Sequence, residues 1–586
     1  MITRVIPALR LPFNRLFDYL IPEDAPLLQP GSLVRVSFGS RRIVGLVHSV
    51  QEKSELPTSK LRPLHSALFN GNPVFTAELL ELLSRLSLQY QAPLPLFLLQ
   101  LLPQIPEKIG EFDSLKIGSA AGNAALSCQQ VESIFNPAKI TGVITEFANK
   151  RPALILVPTV AHGNWLSECL TKSGLRVASY FGELRPSTAL AAWTTLAAGR
   201  ADALVATRSG VFAPLPEGLP IIIFAEEEPS FIQFDAKPRY DARLLARARA
   251  RAEGRELLSL AVTPTLSAWH TAQNRVLLAE PPDLTLISLA EERRGGFWGF
   301  LTERLRAAIA VSLTQRKTAL VIVNRKGAAT SLICRDCGQR VSCSECGSTM
   351  RVYPRELFCG RCRNKTATPT VCPSCGSARL KDNGLAISRL TAEIKKYFTA
   401  AKVVEVTGEA PGKNNINGDI IVGTEVLLHS LRPQLEKLEL GAVAVPLAEQ
   451  LWCGANFSDS EEGYALLRGL ASLAREKKAP LILQTFIPEH EVFLALGDTP
   501  EQFYKQQLSV REEFGYPPAY LRLRLETSVS ENLERVRKML DELLPGAGRQ
   551  LDQIAKNEYL LQLRSADELV PVAFQKLPKD WRWEVK

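Results

Sequence analysis

Eight of the chain's 11 cysteines lie between Cys334 and Cys375, and all eight form C-x-x-C pairs. The pairs are Cys334/Cys337, Cys343/Cys346, Cys359/Cys362 and Cys372/Cys375. Such a turn sets two thiolates on one edge of a tight loop, where both reach a tetrahedral metal at about 2.3 Å. Gly338, Gly347 and Gly376 follow three of the pairs directly, and glycine tolerates the positive φ that such turns use. Eight thiolates fill two closed four-cysteine zinc sites, and the stretch contains no histidine to compete with them. A disulfide framework is the wrong chemistry for a chain that reads as cytoplasmic, and closed sites leave no open position for catalytic zinc. Five residues separate the first two pairs and twelve separate the second from the third. That favours a nested arrangement, with Cys343, Cys346, Cys359 and Cys362 inside and Cys334, Cys337, Cys372 and Cys375 outside. Sequential pairing is the alternative.

The rest of the chain is ordinary globular sequence. It has 586 residues, 46% of them apolar and 22% charged, close to the average for folded proteins. This excludes a mostly disordered or collagen-like chain. The nearest thing to a membrane span, Ala92 to Pro103, is broken by Pro93 and Pro95 and falls short of the roughly 18 residues required. The first residues lack the apolar core of an export signal, so a cytoplasmic protein with no membrane partner is expected. The net charge is +9. Residues 334–380 hold eight Lys or Arg against three acidic residues, so this stretch carries more than half the excess. That suits contact with nucleic acid, or a solvated basic face.

Short apolar runs flank the cysteine stretch on both sides. Ala153 to Val157, Ala203 to Ala206, Ile221 to Phe224 and Leu260 to Val262 precede it, as does Ala319 to Val323; Ile420 to Val422 and Ala442 to Val445 follow. Buried strands alternating with helical stretches indicate parallel α/β sheets, and two sets indicate two lobes. Loops at such strand ends normally hold a nucleotide. No G-K-[ST] occurs to cradle phosphates and Mg²⁺. The nearest remnant, Gly118 to Ala125, places Ala124 and Ala125 where Lys and Thr would sit. The position after Phe224, where a magnesium-holding Asp would stand, is Ala225. Glu226, Glu227 and Glu228 then read as an exposed loop. ATP hydrolysis is not expected.

Four stretches resemble the PriA family of bacterial replication-restart proteins. They are Phe17-Asp18-Tyr19-Leu20-Ile21-Pro22 with Gly31, Val34-Arg35-Val36, Phe38-Gly39 and Ser54-Glu55-Leu56-Pro57; Thr207-Arg208-Ser209, Arg239 to Arg243 and Asn324-Arg325-Lys326-Gly327; the eight-cysteine stretch; and Phe514-Gly515-Tyr516-Pro517-Pro518. The resemblance implies an α/β multidomain protein. It would have a β-rich 3′-end DNA-binding domain over 1–105 and RecA-like superfamily 2 helicase lobes over 106–285 and over 286–333 with 381–500. A two-zinc module over 334–380 and an α+β C-terminal domain over 501–586 complete it. The stretch between Pro103 and the first lobe is too short for the family's winged helix. The family's GxTGSGKT loop is absent, its DEEH box reads Ala225 to Glu228, and its QxxGRAGR box aligns with Arg468 to Arg475, with Ser472 at the arginine finger. Three departures from the motor motifs resemble a helicase-degenerate, actinobacterial branch.

The resemblance also implies a function. Asp18 would hydrogen-bond the terminal base of a DNA 3′ end, with Phe17, Tyr19, Gly39 and Arg62 shaping the pocket. Phe231, Phe234 and Arg239 would lie in a loop that meets single-stranded DNA, its rings stacking on bases or anchoring the loop in the core, and the five arginines from Arg243 to Arg255 would line a DNA channel or form a solvated face. The expected partners are forked and single-stranded DNA, a replicative helicase or its loader, other primosome proteins and single-strand-binding protein. Two Zn²⁺ ions are the expected cofactors, with ATP absent or bound without hydrolysis. The protein would restart replication at abandoned forks and D-loops, at the nucleoid. An active 3′–5′ helicase with a divergent nucleotide site, and a zinc-organised scaffold without a DNA role, are the competing readings.

Overall fold

A computed structural model describes residues 1–102, 124–131, 136–149, 151–182, 184–233, 238–277, 283–323, 332–334, 336–337, 341–345, 350–352, 356–359, 364–382, 387–406, 416–429, 431–452, 457–528, 533–545, 549–555, 557–564, 569–578 and 581–585. Among them no helix is long and apolar enough to cross a membrane.

The N-terminal body is a six-stranded sheet in the spatial order Arg62–Pro63, Phe17–Leu20, Ile2–Pro7, Arg41–Gln51, Leu33–Phe38 and Ser66–Ala67. Two helices follow, Ala77–Gln89 and Leu94–Leu101. Thr76 caps the first by accepting from Leu79 N, and leucines at Leu79, Leu82, Leu83 and Leu86 give it a buried face at helical spacing. That face merges into the core of the next body, where Phe75 meets Trp193 edge-on at 6.3 Å.

The second body is a seven-stranded parallel sheet. Its order is Asn274–Val276, Leu126–Gln130, Leu257–Ala261, Ile221–Phe224, Ala153–Leu156, Ala203–Ala206 and Val177–Tyr180. The third is a six-stranded parallel sheet ordered Thr285–Ser288, Leu481–Thr485, Leu440–Val445, Thr318–Ile322, Ile420–Gly423 and Val403–Val406. The uninterrupted apolar runs seen in the sequence are these strands, buried on both faces by helices. Along Thr318–Ile322, Leu320 and Ile322 enter one core while Ala319 and Val321 enter the other, as a period of two requires.

One departure from the expected boundaries has a clear cause. Helix Pro500–Phe514 was expected in the C-terminal domain, but it buries Phe503 and Tyr504 in the core of the third body. That core also takes Leu266 and Trp269 from the second body. Trp269 stacks on Tyr504 at 5.3 Å, and Tyr504 Oη donates to Pro264 O at 2.6 Å. The C-terminal sheet, ordered Arg549–Ala555, Glu558–Arg564, Tyr520–Thr527 and Trp581–Val585, is antiparallel. Leu88 of the first long helix enters its core.

Candidate nucleic-acid and metal sites

The cysteine stretch leaves the third body between Thr318–Ile322 and helix Ile387–Tyr397. Strands Leu332–Cys334 and Leu380–Asp382 pair antiparallel and close its base, with Cys334 opposite Leu380. This brings Cys334, Cys337, Cys372 and Cys375 together, their sulfurs all within 4.8 Å of one another. Cys334 Sγ lies 3.6 Å from Cys375 Sγ, and Cys337 Sγ lies 3.7 Å from Cys372 Sγ. A tetrahedron with bonds of about 2.3 Å has edges near 3.8 Å, whereas a disulfide is about 2.05 Å. The four sulfurs therefore fit zinc, and first-with-fourth pairing follows. Burial pushes the Cys334 thiol up, but backbone N–H donors from Cys337 and Asp336 and the neighbouring thiols outweigh it and bring its pKa to about 7.

Within this base lies an antiparallel sheet of Met350–Val352, Glu356–Cys359 and Lys365–Ala367. Cys343 and Cys359 are buried in its small core, and Asn364 Nδ2 approaches Cys343 Sγ at 3.6 Å. Cys346 and Cys362 lie outside the described residues.

The N-terminal candidates gather around strand Phe17–Leu20. Arg62 pairs with Tyr19 across the sheet edge and donates from Nη1 to Gly39 O at 2.9 Å. Gly39 sits at φ +62 in the turn after Phe38, with open space where a side chain would project. Tyr19 Oη donates to Ser37 O at 2.9 Å, and Phe38 meets Phe17 edge-on at 5.1 Å. Burial raises the Tyr19 phenol above its usual pKa, against the pull of Arg62. Asp18 points to the opposite face. There it faces Arg4, with Nε 3.3 Å from Oδ1, while Ser54 donates to Oδ2. The side chains of Phe17 and Tyr19 thus back the strand instead of flanking the carboxylate, because neighbours on a strand alternate in direction. Asp18 still has capacity for a base edge, since a carboxylate offers about four lone-pair sites.

The middle candidates change more. Phe231 is fully buried in the second body's core, so it anchors the chain and presents no stacking surface. Arg239 is exposed. Phe234 and Asn324 to Gly327 lie outside the described residues. The arginine-rich helix Ala242–Glu253 lines no channel through its buried arginines. Arg249 and Arg255 both pair with Glu253, which also accepts from Thr76 Oγ1 at 2.7 Å. Arg249 Nη1 and Arg255 Nη1 turn inward to backbone carbonyls. Arg243 pairs with Asp241 and donates to Glu226 O.

Glu226 to Glu228, expected in an exposed loop, are drawn inward. Glu226 accepts from Thr265 N at 2.9 Å and Thr265 Oγ1 at 2.7 Å. Glu227 accepts from Val262 N, and burial, then Glu228 beside it, lifts its carboxyl to about 8. Glu228 Oε1 meets His429 Nδ1 of the third body at 2.9 Å. Burial alone would lower His429, but the Glu228 carboxylate reverses this and raises it.

The structure also relocates the place where a phosphate loop would stand. Such a loop joins a strand to the helix after it. Gly118 to Ala125 precedes strand Leu126–Gln130, and all of it but Ala124 and Ala125 lies outside the described residues. The junction that follows this strand and opens helix Pro137–Ala148 reads Val131-Glu132-Ser133-Ile134-Phe135-Asn136, with neither glycine nor lysine. Asn136 Oδ1 accepts from Lys139 N at 3.1 Å and Pro137 takes the first helical position. The helix N-terminus, where an anion would bind, is capped by the chain itself. The irregular apolar pattern of Leu126-Ser127-Cys128-Gln129-Gln130 hid this strand from the sequence.

Comparison with known proteins bears on the first body directly. Residues 7–103 match the 3′DNA-binding domain (3′BD) of PriA. The chain is 26% identical over 434 residues to the replication restart protein PriA of Synechocystis, covering 67% of this chain and 52% of that one. Against the Bacillus subtilis PriA it is 25% identical over 400 residues, covering 64% and 49%. Against the Rickettsia conorii PriA it is 24% identical over 565 residues, covering 88% and 85%. The chain is thus similar to PriA proteins along 64–88% of its length. It spans about half the length of the Synechocystis and Bacillus relatives and most of the Rickettsia protein's.

Proposed function

We propose that this chain is a replication-restart protein that recognises forked DNA through a 3′-end site on its N-terminal sheet and has lost the ATP-driven motor. The second and third bodies are then helicase-like lobes retained as a rigid frame. DNA binding rests on the match of residues 7–103 to a 3′DNA-binding domain; Gly39 and Arg62 meet at one strand edge, with Asp18 on the other face of the same strand, against Arg4.

The single observation that carries the loss of the motor is the strand-to-helix junction at 131–136. It has no glycine for close approach to phosphate and no lysine for its charge, and its helix end is already capped by Asn136. Ala225 and Ser472 remove two further groups that phosphoryl transfer uses. The four-cysteine cluster Cys334, Cys337, Cys372 and Cys375 would hold one structural zinc. A second at Cys343, Cys346, Cys359 and Cys362 completes the module. Without its own unwinding, the protein would act by recruiting a replicative helicase or its loader, with single-strand-binding protein as a further contact.

An ATPase assay with forked DNA tests the motor half. No turnover above that of a Glu226→Ala variant is expected, and DNA-stimulated turnover well above it overturns the reading. Fork binding with and without a free 3′ end tests the other half.

A further inference from the structure

One face of the third body carries a layer of three helices, Leu289–Arg294, Glu303–Thr314 and Ile387–Tyr397. They bury Leu289, Leu305, Ile309, Leu390 and Ile394 against Ala319, Val321, Ile420 and Val422 of the sheet. The opposite face of the same sheet receives the second body through Leu266 and Trp269. The three-helix layer therefore lies on the side away from the second body.

This layer is strongly basic. Residues 289–317 and 387–397 contain nine Lys or Arg against four Glu, a net +5. Residues 334–380 also carry +5 and the whole chain +9, so these two stretches together account for all of the chain's excess positive charge. Arg294, Arg304, Arg389, Lys395 and Lys396 are exposed.

Aromatic rings stand among the cations. Trp298 is 54% exposed, with the Arg293 guanidinium over its ring at 5.6 Å. Tyr397 is 43% exposed, with Arg306 over it at 4.5 Å. The segment that presents Trp298 is pinned to the neighbouring helix, since Glu393 Oε1 accepts from Phe300 N at 3.0 Å and from Leu301 N at 3.2 Å. Arg389 covers the Phe300 ring at 5.2 Å. A large indole held in water beside guanidinium groups is out of place on an inert surface. Cations that track a phosphate backbone, with ring faces on which bases stack, are how proteins hold single strands without reading sequence.

We propose that this helical layer is a second DNA-binding surface, and that it takes single-stranded DNA. Arg294, Arg304, Arg389, Lys395 and Lys396 contact phosphates, and Trp298 stacks on a base. The surface is separate from the Asp18 site and needs no free end. It gives the protein a hold on an unpaired arm of a fork.

The test uses the full-length, zinc-loaded chain and a labelled single-stranded thymidine oligonucleotide with a 3′ phosphate, which denies the Asp18 site a free end. An Arg294→Glu/Arg304→Glu/Lys395→Glu variant is expected to bind at least about tenfold more weakly. The slope of log affinity against log salt should fall by about 2, at roughly 0.7 per phosphate contact on a single strand. Trp298→Ala should weaken binding about fivefold or more, and Trp298→Phe should restore most of the loss. Melting temperatures close to the parent's establish that the variants fold, and Arg→Gln and Lys→Gln counterparts at the same positions repeat the test without reversed charge. Unchanged affinity and salt slope overturn the proposal, as does selective loss of an acidic polypeptide's binding. Indifference to Trp298→Ala overturns the single-strand assignment. Asp18→Ala should leave this binding intact while removing 3′-end preference, so failure of either site is visible separately.

Discussion

The proposed 3′ site and the strand-end loops of the second body treat their polar groups differently. At the 3′ site, Gly39 faces open space and Arg62 stays exposed, and Asp18 keeps lone pairs beyond its contacts with Arg4 and Ser54. At those loops the chain answers several of its own groups, while Glu227 Oε2 and Glu228 Oε2 stay buried without a hydrogen-bond partner among the described residues. Thr265 fills Glu226, His429 meets Glu228, and Asn136 caps the helix that would hold phosphate. Trp269 stacks on Tyr504 in the buried core, a contact that ties the second body to the third. On the proposed reading the first region meets a ligand, and the second is mostly interior. Substitutions at the first should therefore cost binding, and at inward-facing groups they should cost stability.

The largest expected effect is on an inward group, the outer cysteine cluster. Removing zinc with a chelator, or Cys372→Ser, should unfold the stretch from Cys334 to Cys375, since structural zinc sites contribute about 10–16 kcal/mol to the folding of small domains. Circular dichroism and zinc release measure this, and an unchanged spectrum would break the metal assignment.

Glu253→Ala comes next. It leaves Arg249 and Arg255 buried without their shared carboxylate, a change that costs about 3–5 kcal/mol. Denaturant unfolding should show it, and a loss under about 1 kcal/mol would contradict the structural reading of this helix.

Asp18→Ala should act the other way. Stability should fall only modestly, by about 1 kcal/mol for the partly exposed pair with Arg4, while the preference for a free 3′ end falls by about 1–3 kcal/mol, or roughly five- to 150-fold. Retained preference would break the comparison at its open end.

Glu227→Gln is the sharpest of the set, because its effect is confined to one pH window. The Glu227 carboxyl titrates near 8 in the folded chain against its usual 4.5, so the folded state holds a proton that the unfolded state releases. Its contribution to stability is fully present below pH 4.5 and is lost as the pH rises to about 8. The Gln variant should show a shallower fall of Tm across that window, and parallel curves would place Glu227 in water.

Much of this architecture was legible in the sequence. Strands Ala153–Leu156, Ala203–Ala206 and Ile221–Phe224 stood out because parallel strands buried on both faces are apolar without interruption. The first and fourth cysteine pairs carried their chemistry in their spacing. Strand Leu126–Gln130 was hidden because serine and two glutamines interrupt it, so the phosphate-loop position was sought too early in the chain. The Arg243 to Arg255 run looked like a channel lining because charge alone does not reveal burial. Glu253, four residues from Arg249 and two from Arg255, was the available sign that these cations are paired inside. Phe231 looked like a base-stacking ring because aromaticity is the same in a core and on a surface.

The most direct test is one titration, in which the full-length chain binds a fork with a 3′ hydroxyl and the same fork with a 3′ phosphate, each with and without Mg²⁺-ATP. The account predicts tighter binding to the free 3′ hydroxyl and no change on adding ATP. Equal binding to both forks, or an affinity that ATP shifts, would contradict it.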